Sequence, residues 1–430
     1  MDETYDVVVV GAGLAGLTAA ATAAAASPGR SVLVLDNQPA GRGGRAATDQ
    51  VGRFRFNRGA HALYRTTPGH AVLDRLGVKV VGHPPPTKNA LGRLGDRLGL
   101  LPLNASTLAR TNLLTGREKL VGAKILSRVG KWQPQEWAGL TATELFDDFG
   151  VDGTLRQLCE MLCRLTGYVA DVDVVSADLV AGQVQAALTG SVDYLDQGWS
   201  SLVDGLAAAG HRDGVRVEGG VRVHAVIPDQ GRVRIEAGER TLLARQVVLA
   251  AGTPEANAAL LPEAPPSWGQ LAPAARAACL DLGLATEPAN RLVLGIDQPL
   301  YLSRHAPPAA IAPVGTAVYQ TVLYLRSDED PSADEARAVL AAHCRVSGID
   351  PDEAEESRYL HRMVVCGALP TPETGGMAGR PSVSTGLDGV LVAGDWVGPA
   401  GHLADAALVS GEVAGQVAAA ALDKEVVTRA

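Results

Sequence analysis

The residues best placed to do chemistry stand at the start of the chain, where Gly11-Ala-Gly-Leu-Ala-Gly16 directly follows the apolar run Val7–Val10. Gly11 permits a tight turn, Gly13 lets the backbone approach a pyrophosphate, and Gly16 lets the next helix pack closely on the strand. Leu14 and Ala15 open that helix, whose unpaired N–H groups and partial positive charge suit a phosphate. The helix is alanine-rich and reaches Ala26; Ser27-Pro28-Gly29 stops it, and a second apolar strand, Ser31–Leu35, ends on Asp36 and Asn37. Asp36 lies 20 residues beyond Gly16, where a carboxylate accepts hydrogen bonds from ribose hydroxyls. An accidental glycine-rich turn would lack this flanking strand, helix, second strand and acid. The unit predicts a bound dinucleotide.

The residues after Asp36 narrow the ligand. The run Gly41-Arg42-Gly43-Gly44-Arg45-Ala-Ala-Thr48 brings backbone close to a ligand and sets an arginine where it can meet a second phosphate oxygen. Gly52-x-Phe54-x-Phe56-Asn57-Arg58-Gly59-Ala60-His61 comes next. The order GxGxxG, acid, GGRxxT, then a short strand into a G-x-H turn resembles the FAD-dependent amine-oxidase/phytoene-desaturase superfamily, which includes protoporphyrinogen-oxidase-like proteins. Three later segments carry the same resemblance. Gly198-Trp199-Ser-Ser-Leu202-Val-Asp-Gly-Leu206 is similar to the helix start at which such chains rejoin the FAD domain. Val221–Val226 is similar to the strand whose valine, here Val223, binds adenine through its backbone. Val392-Ala393-Gly394-Asp395, with Ala406-Ala407-Leu-Val-Ser410-Gly411, is similar to the C-terminal flavin motif, its acid at the ribityl or pyrophosphate region and its helix start at the pyrimidine edge. The resemblance implies noncovalent FAD, held by Gly11, Gly13, Leu14, Ala15, Gly16, Asp36, Asn37, Gly43, Gly44, Arg45, Gly59, Ala60, His61, Val223, Ala251, Gly394, Asp395, Leu403, Ala406 and Ala407.

Departures from that pattern say what kind of member this is. Amine oxidases of the superfamily carry a lysine that holds a water near flavin N5, yet no lysine occurs between Lys131 and Lys424. Their aromatic residue four before the alanine of the last motif corresponds to Leu403, beside His402. The departures therefore favour hydride transfer from, or desaturation of, a partly apolar small molecule. An amine oxidase, a flavin-dependent saturase or isomerase, and a non-catalytic binder like the Rab escort and GDP-dissociation-inhibitor proteins are the rivals. The candidate catalytic groups are His61, in the loop expected to pass the flavin, and then Trp396 and His402. Pro299–His305 reads either as a strand lining the cavity or as an exposed strand face. Arg358, Tyr359, His361 and Arg362 read as a solvated surface.

The elements that must position these groups follow from the apolar patterning. With 430 residues the chain has room for two or three domains. We expect an α/β fold in which a discontinuous Rossmann-like FAD-binding domain (1–83, 196–255, 385–430) is interrupted by a substrate domain of mixed sheet and helices (84–195, 256–384). From Gly92 to Trp137 the chain reads as helical, leucine-rich and basic. That stretch suits a lid helix or, in the second reading, a membrane-surface contact over 93–131. Thr141-x-x-Glu144 reads as a capping box. Strands are expected at 215–226, 231–236, 246–250 and 389–393, with Pro228-Asp229-Gln230-Gly231 as a turn. Helices are expected at 331–346 and from about Asp405 to Leu422. A net charge of −9 offers nothing to attract nucleic acid. Five cysteines form no disulfide framework or metal motif, and Cys159 and Cys163 share one helical face. No metal, signal peptide or membrane-spanning helix is expected, and the composition suits the cytoplasm.

Overall fold

In a computed structural model, the structure describes residues 3–39, 43–229, 231–288 and 291–429; Gly41, Arg42 and Gln230 of the motifs above lie outside the described residues. The first βαβ unit is β1 (Glu3–Val10), α1 (Leu14–Ala26) and β2 (Val32–Leu35). β1 and β2 pair in parallel from Val7–Val32 to Val10–Leu35. Their unbroken valine and leucine runs suit strands covered on both faces.

The chain continues through the hairpin β3 (Thr48–Val51) and β4 (Phe54–Asn57), β5 (Leu63–Tyr64), α2 (Pro68–Arg75) and β6 (Gly82–His83). A second hairpin, β7 (Leu91–Leu94) and β8 (Arg97–Leu100), precedes five helices: α3 (Ala105–Arg110), α4 (Gly116–Leu126), α5 (Ala142–Asp148), α6 (Gly153–Gly167) and α7 (Ala177–Thr189). Then come β9 (Val192–Leu195), α8 (Ser200–Arg212), β10 (Arg216–Glu218), β11 (Val223–Asp229), β12 (Arg232–Ala237), β13 (Arg240–Leu249) and the short α9 (Pro254–Ala258). The last part holds β14 (Ala275–Leu284), β15 (Leu292–Gly295), β16 (Leu300–Ala306), β17 (Ala317–Leu325), α10 (Ala333–Val346), β18 (Glu356–Cys366), β19 (Val390–Val392) and α11 (Ala404–Arg429).

One sheet runs β10-β2-β1-β13-β12-β11, with β19 parallel to the end of β13. α1, α8 and α11 cover one of its faces. The alanine-rich composition of α1 has a packing reason. Gly411 and Gly415, four apart on one face of α11, sit so close to the backbone at Ala15 and Ala19 that a Cβ on either would fall within 3.0 Å of a carbonyl oxygen. The second sheet runs β18-β14-β17-β16-β15-β7-β8. Along β14 the side chains alternate as strand geometry requires: Ala278, Leu280 and Leu282 pack toward α10, while Ala277 and Cys279 pack toward α6.

One expectation about the elements needs correction. Residues 91–100, read as helical, form the β7–β8 hairpin, because Gly95 at φ +58° supplies a turn that a helix cannot hold and β15 offers a parallel edge to β7. The basic stretch then becomes helical only from Ala105. Its longest helix, α4, turns Ile125 and Leu126 inward against a hydrophobic cluster and leaves only Leu120 among its large apolar residues fully to solvent, at 75% exposure. The expected capping box forms, Thr141 accepting from the Glu144 N–H while the Glu144 side chain accepts from Thr141. All five cysteines are free. Among the described residues no helix is long and apolar enough to cross a membrane, and no group of side chains could hold a metal ion.

Candidate functional site

The glycine loop sits at the carboxyl ends of β1 and β2, and its three glycines do different work. Gly11, at φ +110°, lies so near Ala250 that a Cβ would fall within 3.0 Å of that carbonyl oxygen. A Cβ on Gly16 would run into the carbonyl of Gly11. Gly13 is different: its nearest neighbour would be the Gly43 carbonyl, 3.9 Å away, so the protein itself leaves the space in front of it free. The second run repeats the theme, since Gly44 at φ +58° has nothing within 4 Å of a Cβ position. Asp36 accepts the Ala12 N–H at 2.6 Å and the Gln38 N–H at 2.7 Å, which pins the turn and leaves lone pairs for further donors. The Asp36 carbonyl accepts from Val221, so Val223, at the start of β11, lies beside the acid. Asn37 beside Asp36 is exposed, Leu14 and Ala15 are buried in the first turn of α1, and Ala251 donates to Asn257 at 2.9 Å next to the Gly11 turn.

Arg45 reaches across the molecule. Its Nη1 and Nη2 donate to Asp395 Oδ2 and Oδ1 at 2.6 and 2.9 Å, and Nη1 also donates to the Val365 carbonyl at 3.0 Å. The motif places this arginine at a phosphate oxygen; in the structure its fork meets a carboxylate. Asp395 takes a further N–H from Gly367 at 3.0 Å. Burial works to raise the Asp395 pKa, but the Arg45 charge and the three N–H donors prevail and hold it below its ordinary value. The Asp395 side chain is 2% exposed while Arg45, deep in the same place, keeps 38% of its side-chain surface accessible. The guanidinium thus keeps an accessible face although its carboxylate partner is buried.

His61 sits beside this ion pair on the loop after β4. Its Nδ1 donates to the Gly59 carbonyl at 2.7 Å and its ring lies 4.7 Å from that of Trp199. Burial, with the charges of Arg45 and Arg358, lowers its pKa to about 4, so at neutral pH the ring is uncharged with its lone pair on Nε2. Tyr168, which ends α6 at φ +56°, donates its hydroxyl to the Ala60 carbonyl. Its ring meets Tyr324 at 5.3 Å. Tyr194, Tyr301 and His305 join behind them, Tyr194 to Tyr301 at 2.9 Å and Tyr301 to His305 Nε2 at 3.1 Å. Pro299–His305 is thus a buried strand, not an exposed face. These tyrosines escaped sequence reasoning; the signal was their scarcity, four of only eight in the chain meeting at one place.

The other two candidate catalytic residues fare differently. Trp396 is wholly buried, its Nε1 donating to the Gly252 carbonyl at 2.8 Å and its ring against Trp268, so it offers no surface to a substrate. His402 is also buried, Nε2 donating to the Gly167 carbonyl at 2.9 Å while Nδ1 has no partner. Leu403 next to it takes φ +52°, an uncommon conformation for a leucine, one residue before α11. Gly394 is locked to Ser410 by paired bonds, while Ala406 and Ala407 fill the first turn of α11. Arg358 corrects the solvated-surface reading. It is held by Asp281 and Asp49 and by the carbonyls of Phe56 and Asn57, and so braces the loop that carries His61.

Burial also makes three histidines sensitive to acid. His305, His343 and His402 are 1%, 0% and 3% exposed, and burial lowers their pKa values to about 3, 4 and 4. Because the folded values lie below the ordinary 6.5, the unfolded chain binds more protons, and the stability they contribute fades as pH falls below 6.5 toward 4. Urea midpoints should therefore drop between pH 6.5 and 4.5, above the range in which depressed carboxylates such as Asp395 titrate. A flat profile across that interval would contradict the neutral-histidine assignment.

Residues 9–76 match the model of the NAD(P)-binding Rossmann-like domain family. The chain carries a Rossmann-like unit over those residues. No curated protein matches the sequence. Among solved structures, an oxidoreductase from Methanosarcina mazei is 18% identical with a TM-score of 0.73, over 95% of this chain and 99% of that one. Cyclohexylamine oxidase from Brevibacterium oxydans IH-35A is 19% identical with a TM-score of 0.72, over 99% and 100% of the two chains. A CLA-producing fatty acid isomerase from P. acnes is 15% identical with a TM-score of 0.71, over 96% and 98%. The fold beyond the Rossmann unit is thus shared along nearly the whole length of each.

Proposed function

We propose that this chain is an FAD-dependent oxidoreductase of the amine-oxidase/phytoene-desaturase superfamily, acting on a partly apolar organic substrate. The observation that carries the reading is the Arg45–Asp395 pair, which joins the glycine-rich run after β2 to the turn after β19 and keeps one face of Arg45 accessible. The residues present fit FAD. Gly13 and Gly44 have open room where a pyrophosphate needs close backbone, Asp36 keeps acceptor capacity for ribose hydroxyls, and the His402 Nδ1 is a buried polar atom without a protein partner. Val223 beside Asp36 would take the adenine end, and Gly394, Leu403, Ala406 and Ala407 the flavin end. Bound FAD supplies an acceptor for a hydride. The chain's own part is to hold the substrate, exclude water and keep His61 neutral, so that Nε2 can accept a proton. The Tyr168 hydroxyl fixes the loop that carries His61. The M. mazei and B. oxydans proteins support oxidoreductase chemistry, and the P. acnes isomerase on the same fold supports an isomerisation without net oxidation as the second reading.

The purified protein should be yellow and release FAD on acid treatment, with no covalent adduct. A colourless protein that takes up no FAD would favour the escort-type binder. When the flavoprotein is mixed with simple primary and secondary monoamines without oxygen, its visible band should persist, because no lysine stands between Lys131 and Lys424. Rapid bleaching would restore the amine-oxidase reading.

A further inference from the structure

Beside α6, the helices α4, α5, α6 and α7 and the segment after β8 line a partly open cavity of about 80 Å³. Its walls are hydrocarbon. Ile125 and Leu126 of α4, Phe146 of α5, Phe149 just past its end, Leu155 of α6 and Val184 of α7 line it. The only polar side-chain groups among its lining residues are the Trp132 indole N–H and the thiols of Cys159 and Cys163. Several of these apolar residues, Ile125, Leu126, Trp132 and Phe149 among them, are only half-buried although they lie inside the helical layer. Apolar surface left facing a void has lost both water and packing partners, and it gains from any hydrocarbon that fills it. Charge around the opening is balanced, since residues 105–152 carry six basic and six acidic side chains. Nothing there selects an anion or a cation.

The space also adjoins the candidate site. Leu103, Leu158, Met161 and Leu162 line it and belong as well to the packed cluster that holds Ala60, Cys279 and Tyr324. One turn farther along α6, Leu165 and Tyr168 join that same cluster, and Tyr168 bonds the Ala60 carbonyl. Leu103 and Leu162 are half-buried, and they belong to both regions.

We propose that this cavity binds an uncharged hydrocarbon chain or ring system, the apolar portion of the substrate whose reacting end meets the His61 loop. The binding stands on the cavity alone; its link to the substrate rests on the flavoenzyme reading. Trp132, in the wall, reports occupancy. Titrating the purified protein with 1-bromohexane should quench tryptophan fluorescence saturably, and a Trp132→Phe variant should lose most of that quenching. Gly122 gives a filling variant: a Cβ there would stand 3.6 Å from Leu108 and Leu155, ordinary contact, and leucine is the better helix former. Gly122→Leu should weaken 1-bromohexane binding at least tenfold with unchanged circular dichroism and flavin content. Cys159→Phe fills the same space from α6 and should act alike should the first variant not fold. Quenching that never saturates, or that is equal in wild type and filled variants, would overturn the site. Saturable quenching in a protein that takes up no FAD would keep the site and remove the flavoenzyme reading instead.

Discussion

Replacing Gly13 by leucine should give a protein that folds like the wild type and no longer holds FAD. The three glycines of the first loop look interchangeable in sequence, but the structure separates them. Gly11 and Gly16 lie against carbonyl oxygens, and Gly11 also takes φ +110°, so a side chain at either disrupts the protein itself. Gly13 has φ −81° and ψ −176°, open to any L-residue, and meets nothing nearer than 3.9 Å. Only a ligand seated at the amino end of α1 would be displaced by a side chain there. Excluding a pyrophosphate from those N–H groups should weaken FAD binding by at least 100-fold, about 2.7 kcal/mol. Absorbance near the flavin band, a titration of the apoprotein with FAD, and the melting temperature of both apoproteins provide the check. Gly16→Leu is the contrast and should yield little folded protein. A yellow Gly13→Leu protein would move the cofactor elsewhere.

The same contrast explains what the sequence could reveal. Nucleotide binding was legible because its parts are local: strand, glycines, helix, strand and acid lie within residues 7–36, and each acts through backbone geometry that residue type controls. The motif around Asp395 was legible as a pattern, but its partner was not. Arg45 lies 350 positions away, and the pairing of β19 with β13 in the first sheet brings Asp395 into its reach. Tertiary context likewise decided the hairpin at 91–100. Leucines at 91, 94, 98, 100 and 101 mimic a helical stripe. Gly92 and Gly99 instead leave room for Ile296 and Leu113 to pack against the hairpin. Trp396 directly succeeds Asp395 and reads as a site residue by adjacency, yet its neighbour faces the candidate site while its own ring fills the core beneath the sheet. Arg358 shows the reverse error. Among charged neighbours it reads as surface, but its guanidinium finds the wholly buried Asp281.

Asp395→Ala should cost the fold about 3 kcal/mol, the lower end of what breaking a buried pair costs, because Arg45 keeps 38% of its side-chain surface accessible and water can partly replace the carboxylate. The loss has two parts that can be told apart. The Gly367 N–H loses its acceptor, and the Arg45 guanidinium keeps its charge in a place built to neutralise it. Asp395→Asn keeps one acceptor oxygen and removes the charge, so it should recover part of the loss in urea unfolding of the apoprotein. Arg45→Ala is the more severe partner change, since Asp395 is 2% exposed and would be left as a buried carboxylate answered only by the Gly367 N–H. Its pKa should then rise from its depressed value, so the stability that the ionised carboxylate gives the wild type, lost as pH falls, should be reduced, and the urea midpoint of the variant should drop less on acidification. If the pair were only a structural clamp, the double variant Arg45→Met/Asp395→Leu would restore stability and leave FAD binding intact. If it also shapes the cofactor space, as its accessible face implies, the double variant should regain stability and stay colourless.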